Sequence, residues 1–402
     1  MVKKIFTLLI LFIPLLILFP GFSNFIFPQN SDFSDLTISH LPNLIYLKKC
    51  ISTWGEIPLW SNMILSGYPF AADPLSGIWY PFTWLLAFLP QPFGYNAVIL
   101  LHLLIGGTGV FLLLREEGKG YWGAIIGAVA FQLMPKILSH YAAGHISLVF
   151  AVSFTPWVLL AEKKRRSSCG RLWKIAPGIL LGWIALADIR WIPYVGIAWM
   201  AIFIDEMISL WRKRVVSKEK RGLLNLPLFL QESAGMMLQF FTAVGISAPA
   251  LLPLIQYSSM TARASMEIAD RLAFSLSPVR LINLIFPDIG GYAEWIVYPG
   301  IFCFLSLIAV VADRKSRHAN RIWIVLLFIS FFIALGSHNP FMSLLTRIPG
   351  FDYLRVPPRA LFLGGLSFSI LAGAYAEKIT TSAEKQRTPI FLLLIITVFS
   401  MG

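Results

Sequence analysis

Residues 95–120 read YNAVILLHLLIGGTGVFLLLREEGKG: a run over 95–114 without Asp, Glu, Lys or Arg, then Arg115, Glu116, Glu117 and Lys119 close together. A helix of about 20 residues crosses the roughly 30 Å hydrocarbon core of a bilayer. The pattern of apolar run and charged break recurs on both sides of this stretch. Further spans are predicted at 5–22, 121–138, 147–161, 172–187, 191–211, 228–254, 298–312, 322–336 and 360–376, with a last one starting near Pro389. Composition agrees: 57% of the 402 residues are apolar and 13% charged, with a mean hydropathy of +0.73. Soluble domains carry about a quarter charged residues, so lipid must be the solvent for much of this surface. The class is an all-α polytopic membrane protein of about 10–11 transmembrane helices.

The distribution of charge gives an orientation. Breaks at 115–120, 162–171, 212–221, 313–321 and 377–387, with Lys3, Lys4 and Lys174, hold 23 of the 33 Lys and Arg residues. Short loops rich in Lys and Arg stay in the cytoplasm. The expected order is therefore a signal-anchor helix (1–22) with its N-terminus inside, a first extracytoplasmic loop (23–94) and helices two to seven (95–254). A second outer loop (255–297) and helices eight to eleven (298–402) complete a single transmembrane domain. The net charge of +13 lies in these short breaks, with no basic stripe of interleaved aromatics, so no nucleic-acid partner is expected. Cys50, Cys169 and Cys303 have no motif spacing, which excludes a disulfide framework and a Cys-based metal site as expectations. Cys50 is expected on the outside.

Long outer segments, at 23–94, 256–297 and 337–359, are where a helical scaffold would build a site. In the first, Asp32 and Asp35 follow the first helix, His40 comes next, and Pro42 suits an initial helical position. Leu44, Ile45, Leu47, Ile51 and Trp54 form an apolar stripe that predicts an interfacial helix. Beyond it, Gly and Pro alternate with Trp60, Tyr68, Trp79, Tyr80 and Trp84, predicting a rigid aromatic segment at headgroup level.

The order Asp35-x4-His40-x-Pro42, Gly55-x-Ile-Pro58-Leu-Trp60, Gly67-Tyr-Pro69-Phe-Ala and Tyr80-Pro81 resembles the first outer loop of YfhO-like bacterial membrane proteins. Ile348-Pro-Gly-Phe351, followed by Leu354-Arg355-Val-Pro-Pro358-Arg359, is similar to a second segment of that family. Membrane proteins named after 6-pyruvoyl-tetrahydropterin synthase share these features and compete for the label. YfhO-like proteins belong to the GT-C glycosyltransferase superfamily, which transfers sugars from polyprenyl-phosphate carriers outside the cytoplasmic membrane. The resemblance implies a GT-C-like helical bundle in the cell membrane and an extracytoplasmic site. It implies a polyprenyl-phosphate-linked sugar donor and an envelope polymer, glycolipid or protein as acceptor. Relatives open the loop with Gly-Asp, where this chain has two Ser-Asp pairs, and they continue past the helix in which it stops. A shortened form is therefore expected.

The resemblance also implies a carboxylate in the first outer loop that takes the acceptor proton. Asp35 fits that register best and Asp32 is second; the alternative for Asp35 is a helix cap. His40 would orient the carboxylate or contact phosphate, or simply bond locally. Arg355 and Arg359 suit a phosphate grip, because guanidinium presents a fork of donors, or else interfacial snorkelling. Lys136, His140 and His145 form a second polar cluster, read as phosphate-facing or structural, with Lys136 and His140 spaced for one helical face. No metal ligands are assigned there, since no carboxylate stands nearby in sequence; a divalent cation is left open as a cofactor. Arg190 joins the phosphate-binding candidates, although pairing with Asp188 is the plainer reading. Asp73, Asp288 and Glu294 are reserve acids. The competing functions are a transporter or flippase for lipid-linked sugars and a non-catalytic scaffold.

Overall fold

A computed structural model describes residues 2–18, 24–26, 33–64, 66–167, 170–216, 226–261, 267–287, 292–345, 347 and 355–383. Among them the regular structure is helical, with one isolated bridge between Ser61 and Tyr68. Helix α1 (Val2–Leu16) leads to α2 (Leu41–Trp54) and α3 (Pro81–Phe88) in the predicted first outer loop, then α4 (Phe93–Glu116). Two crossings are each built from a pair of helices: α5 (Tyr121–Gln132) with α6 (Pro135–Ala142), and α7 (Ile146–Ser153) with α8 (Thr155–Ser167). Next come α9 (Arg171–Asp188), α10 (Ile192–Val216), α11 (Leu226–Ser259) and α12 (Ile268–Arg271). The described chain ends with α13 (Ile301–Ala312), α14 (Arg314–Ala319), α15 (Arg321–Ala334), α16 (Met342–Leu345) and α17 (Leu361–Ala383).

Six helical stretches among the described residues are long and apolar enough to cross a membrane. One of them, Arg171–Arg212, has 42 residues; at 1.5 Å per residue it would run about 63 Å, twice a bilayer. Asp188 leaves the helix there, with φ −160° and ψ 106°, and the chain reverses between α9 and α10. These seven crossings and the shorter apolar helices Ile5–Leu16, Ile301–Ala312 and Arg321–Ala334 make an all-α polytopic membrane protein of the predicted size. The span predicted from Pro389 lies outside the described residues.

Small residues set the helix contacts, because lipid supplies no hydrophobic force to drive helices together. Gly123 and Gly127, four apart on α5, face α17, where a Cβ on Gly123 would sit 2.7 Å from the Gly373 carbonyl oxygen. Gly178 and Gly182 repeat the device on α9 against α11, where a Cβ on Gly178 would meet the Gln239 carbonyl at 2.5 Å.

The predicted cytoplasmic breaks share one end of the bundle. Lys163 pairs with Glu117 at 3.2 Å, Lys378 with Asp313 at 2.9 Å and Arg321 with Asp205 at 2.8 Å. Fully buried Glu162 is held there by Arg165, Arg166 and the Trp199 indole. The residues of the predicted outer site lie at the other end.

The first loop corrects two expectations. Helix α2 buries Leu44, Leu47 and Cys50, whereas Ile45 and Trp54 are exposed. The predicted stripe is therefore split, Leu44, Leu47 and Ile51 packing inward while Ile45 and Trp54 face out, and the Cys50 side chain is buried on the inner side. The aromatic stretch is also less superficial than expected. Trp79 and Trp84 donate their indole N–H to the carbonyls of Ala71 and Ile78, both at 2.8 Å, and Tyr80 is buried against His102, with 2.6 Å between its hydroxyl and Nε2. Orientation is tested with exposed positions: in a cysteine-free background, Glu56→Cys should react with an impermeant maleimide in intact cells and Lys315→Cys only after permeabilisation. Reaction in the opposite order would invert the topology.

Candidate functional site

Helix α5 stops at Gln132, and Pro135, which lacks an N–H to lose, restarts the chain as α6. This short helix carries Lys136 and His140 on one face, as their spacing predicts. Gly144 then turns with φ +81°, and His145 sits at the start of α7. A Cβ on Gly144 would lie 2.4 Å from the backbone nitrogen of Leu36. Its absence lets the first loop press against this turn, where Asp35 N–H donates to the Ala143 carbonyl at 3.3 Å.

Glu294, whose side chain is 1% exposed, is the centre of the cluster. One oxygen is 3.0 Å from His140 Nε2 and the other accepts from Arg359 Nε at 3.0 Å. Lys136 Nζ donates to the carbonyls of Ala293 and Glu294, at 3.2 and 2.5 Å. Burial alone would raise the Glu294 pKa. The His140 hydrogen bond and the surrounding charge of His140, Arg359 and Lys136 outweigh it, holding the carboxyl well below the ordinary glutamate range.

His140 Nδ1 is 2.9 Å from the Lys136 carbonyl oxygen, which can only accept. The proton on Nδ1 leaves the Nε2 lone pair of a neutral ring facing the Glu294 carboxylate, so either a proton or a cation must lie between them. His140, His145 and Glu294 each offer a donor atom within 4.8 Å of the others. The carboxylate missing from the sequence neighbourhood is thus supplied from 154 residues away. His145 Nδ1 is buried with no hydrogen-bond partner. Burial first, then the charge of His140, lowers the His145 pKa to about 4, so the ring is neutral at physiological pH and suited to ligation.

Asp35 lies at the rim of this cluster, its side chain 44% exposed and 3.5 Å from His145 Nε2. It precedes a π-helical turn, Leu36–His40, without making a side-chain cap bond to it; such turns are frequent at functional sites. The capping alternative is therefore not what the geometry supports. His40 turns inward and its Nε2 has no partner; burial and the Arg190 charge lower its pKa to about 4. Arg190 pairs with buried Asp188 at 2.5 Å, and Asp188 also accepts from Ser147 at 3.0 Å, so the plainer expectation for this pair holds.

Arg359 turns inward rather than snorkelling to the interface. It is buried and committed in part to Glu294, a bond that uses one of five guanidinium donors. Val356 just before it has φ +58°, a strained conformation for a β-branched residue, and this sharp turn directs Pro357–Ala360 into the bundle. Arg355 remains exposed, with its charge acting on Tyr292. Asp32 and Asp288 lie outside the described residues, as do Ile348–Phe351 and Leu354. Glu294 is the residue that sequence reasoning underrated. Only its place in a long outer loop singled it out.

No protein-family model matches the chain, and no curated protein matches it. Two solved structures align along nearly all of it. Arabinofuranosyltransferase AftD from Mycobacteria, solved by cryo-EM, covers 98% of this chain at 15% identity with a TM-score of 0.48. The crystal structure of an Archaeoglobus fulgidus oligosaccharyltransferase, in complex with Zn and sulfate, covers 98% at 13% identity with a TM-score of 0.44. The aligned region is 26% of the first protein and 51% of the second, so this chain spans about a quarter and a half of their lengths. No residue role is carried over from either.

The Gly144 contact makes a direct prediction. Gly144→Ala combines a left-handed backbone, costing about 1–2 kcal/mol for a residue with a Cβ, with a clash against the Asp35–Leu36 backbone. Thermal unfolding in detergent should begin several degrees lower, and amides 35–40 should exchange faster. An unchanged midpoint and exchange pattern would show that this turn does not hold Asp35 in place.

Proposed function

We propose that this protein is a GT-C-type membrane glycosyltransferase that moves a sugar from a polyprenyl-phosphate carrier to a cell-envelope acceptor on the extracytoplasmic side of the cell membrane. The observation that carries the reading is the half-exposed Asp35 carboxylate at the rim of a buried cluster of both charge signs. Around it stand Lys136, Arg190 and Arg359, with Asp188 and Glu294 as buried counterions. The ordered motifs of the first outer loop support the same reading.

In the proposed reaction an Asp35 oxygen accepts the proton of an acceptor hydroxyl as that oxygen attacks the anomeric carbon. The bond from this carbon to the carrier phosphate breaks, and polyprenyl phosphate departs with the electron pair. A single displacement inverts the anomeric centre. Arg355 at the exposed rim, Arg190 and the remaining Arg359 donors would hold the departing phosphate. The acceptor is a polymer, glycolipid or protein of the envelope. Asp35→Asn should lower transfer of labelled sugar from a polyprenyl-phosphate donor by roughly 10²–10⁴-fold, the range for losing a general base. A wild-type rate would remove Asp35 from the chemistry, and flipping of the lipid-linked sugar without transfer would replace the reading with transport.

The proposal includes a divalent cation held by His140, His145 and Glu294. Support comes from their convergent donors and from the Lys136 carbonyl, which holds the His140 Nδ1 proton and leaves Nε2 free to ligate, as is common for metal-binding histidines. A bound cation would spread negative charge from the departing phosphate. Mn²⁺ should bind the detergent-solubilised protein with an altered electron-paramagnetic-resonance spectrum, and His145→Ala should weaken that binding at least tenfold. If wild-type protein binds no Mn²⁺, a proton rather than a metal bridges His140 and Glu294.

A further inference from the structure

A cavity opens behind the turn that carries Asp35. Its volume is about 270 Å³, and its walls include Ile38, Ser39, Asn43, Tyr68, Tyr257 and Ser258, with Asp73 and Thr261 completing the polar side. It is smaller than pockets for drug-sized ligands, about 300–1,000 Å³, which suits one sugar ring. The wall chemistry narrows the occupant. Hydroxyl, amide and carboxylate groups share the wall with two phenol rings and with Ile38, Ile64, Pro74 and Leu254, and a lipid tail would set hydrocarbon against the Asp73 carboxylate. No Lys or Arg lines the cavity while Asp73 does, which disfavours phosphate and other anions. A single carboxylate is a poor cage for a hard cation.

What remains is a neutral ligand rich in hydroxyls, with an apolar face to lay against an aromatic ring. The fixed groups suit it. Asp73 is held by the Leu75 N–H at 2.9 Å, and the Tyr68 hydroxyl reaches Asn43 at a long 3.4 Å. Burial first, then the charge of Asp73, pushes the Tyr68 pKa up to about 12, so its hydroxyl stays a donor at any relevant pH. Tyr257, Ser258 and Thr261 lie at the end of α11, a helix that otherwise exposes Phe240, Phe241, Leu252 and Ile255. The cavity therefore stands where the lipid-facing surface gives way to polar groups.

We propose that this cavity is a subsite for a neutral monosaccharide unit of the acceptor, held by Ser39, Asn43, Tyr68, Asp73, Tyr257 and Ser258. Its assignment to the acceptor rests on the sugar-transfer reading above. A general base must touch the acceptor hydroxyl, and Asp35 directly precedes the π-helical turn that carries Ser39 into the cavity wall. A glycan seated in the cavity would thus have its next unit at the Asp35 carboxylate. The donor, whose tail stays in the bilayer, has no need of this polar pocket.

The test measures binding without turnover. Protein in nanodiscs is studied by saturation-transfer NMR with the methyl glycosides of glucose, galactose, mannose and N-acetylglucosamine. Wild-type protein should transfer saturation to at least one of them. Ser258→Trp, which fills the cavity, and Asn43→Leu should weaken that binding at least tenfold, and Tyr257→Phe several-fold. Lys315→Cys, at the opposite end of the bundle, should bind as wild type does. Circular dichroism and a monodisperse elution profile verify that each variant is folded. Absence of binding to wild-type protein, or binding unaltered by Ser258→Trp, overturns the subsite. Binding that depends on the cavity in a protein without transferase activity upholds the sugar site and overturns only its acceptor role. Transfer activity without cavity-dependent binding overturns the subsite and leaves the sugar-transfer reading standing.

Discussion

A carboxylate removed from water costs several kcal/mol unless charge and hydrogen bonds compensate it. Glu294 is in that position, and its compensation is drawn from distant parts of the chain. His140 arrives on α6, which Pro135 restarts after the end of α5. Arg359 arrives from the strained turn at Val356, just before α17. Lys136 clamps the main chain of the Glu294 segment itself. Removing Arg359 would take away the guanidinium that pairs with the buried carboxylate, a change of about 3–5 kcal/mol for a buried pair. The segment around Glu294 is thus pinned to the bundle through Glu294 and the Ala293 carbonyl, and the neighbouring groups are positioned around it.

From that constraint the rest of the site follows outward in layers. The buried layer holds charges of both signs in mutual contact, and two histidines beside it, His40 and His145, have pKa values lowered to about 4. Their imidazoles therefore act as neutral groups at physiological pH. Asp35 forms the outer layer, the one carboxylate of the cluster with substantial access to solvent. Its place depends on a backbone contact with Gly144 that no residue with a Cβ could make. A buried counterion set that is fixed and a rim carboxylate that is accessible are the division expected where charge must be stabilised on one side and a proton taken on the other.

The scaffold beneath uses a different kind of contact. Helices α5 and α17, and α9 and α11, approach closely because glycines remove the side chains between them. Dispersion between close backbones replaces the hydrophobic force that lipid does not provide. The ion pairs at the opposite end, around Glu162, gather the charged breaks into one layer. Both ends of the bundle are therefore polar and tied by ion pairs, and the apolar helices span the distance between them.

The sequence by itself determined that the chain crosses a membrane many times, which charged breaks lie together, and that Lys136 and His140 share a helical face. These are local properties: a bilayer fixes the length and charge of each span, and a helix fixes what is three or four residues apart. It also drew attention to Asp35, through the order of motifs in the first loop. Tertiary structure alone decided that Glu294 joins His140 across 154 residues, that Arg359 is a buried counterion, and that α2 hides Leu47 and Cys50 while exposing Ile45 and Trp54. Such pairings have no period in the sequence. They arise from which helix ends meet when the glycine-lined faces close, and a buried charge then selects among the neighbours that this closure brings within reach.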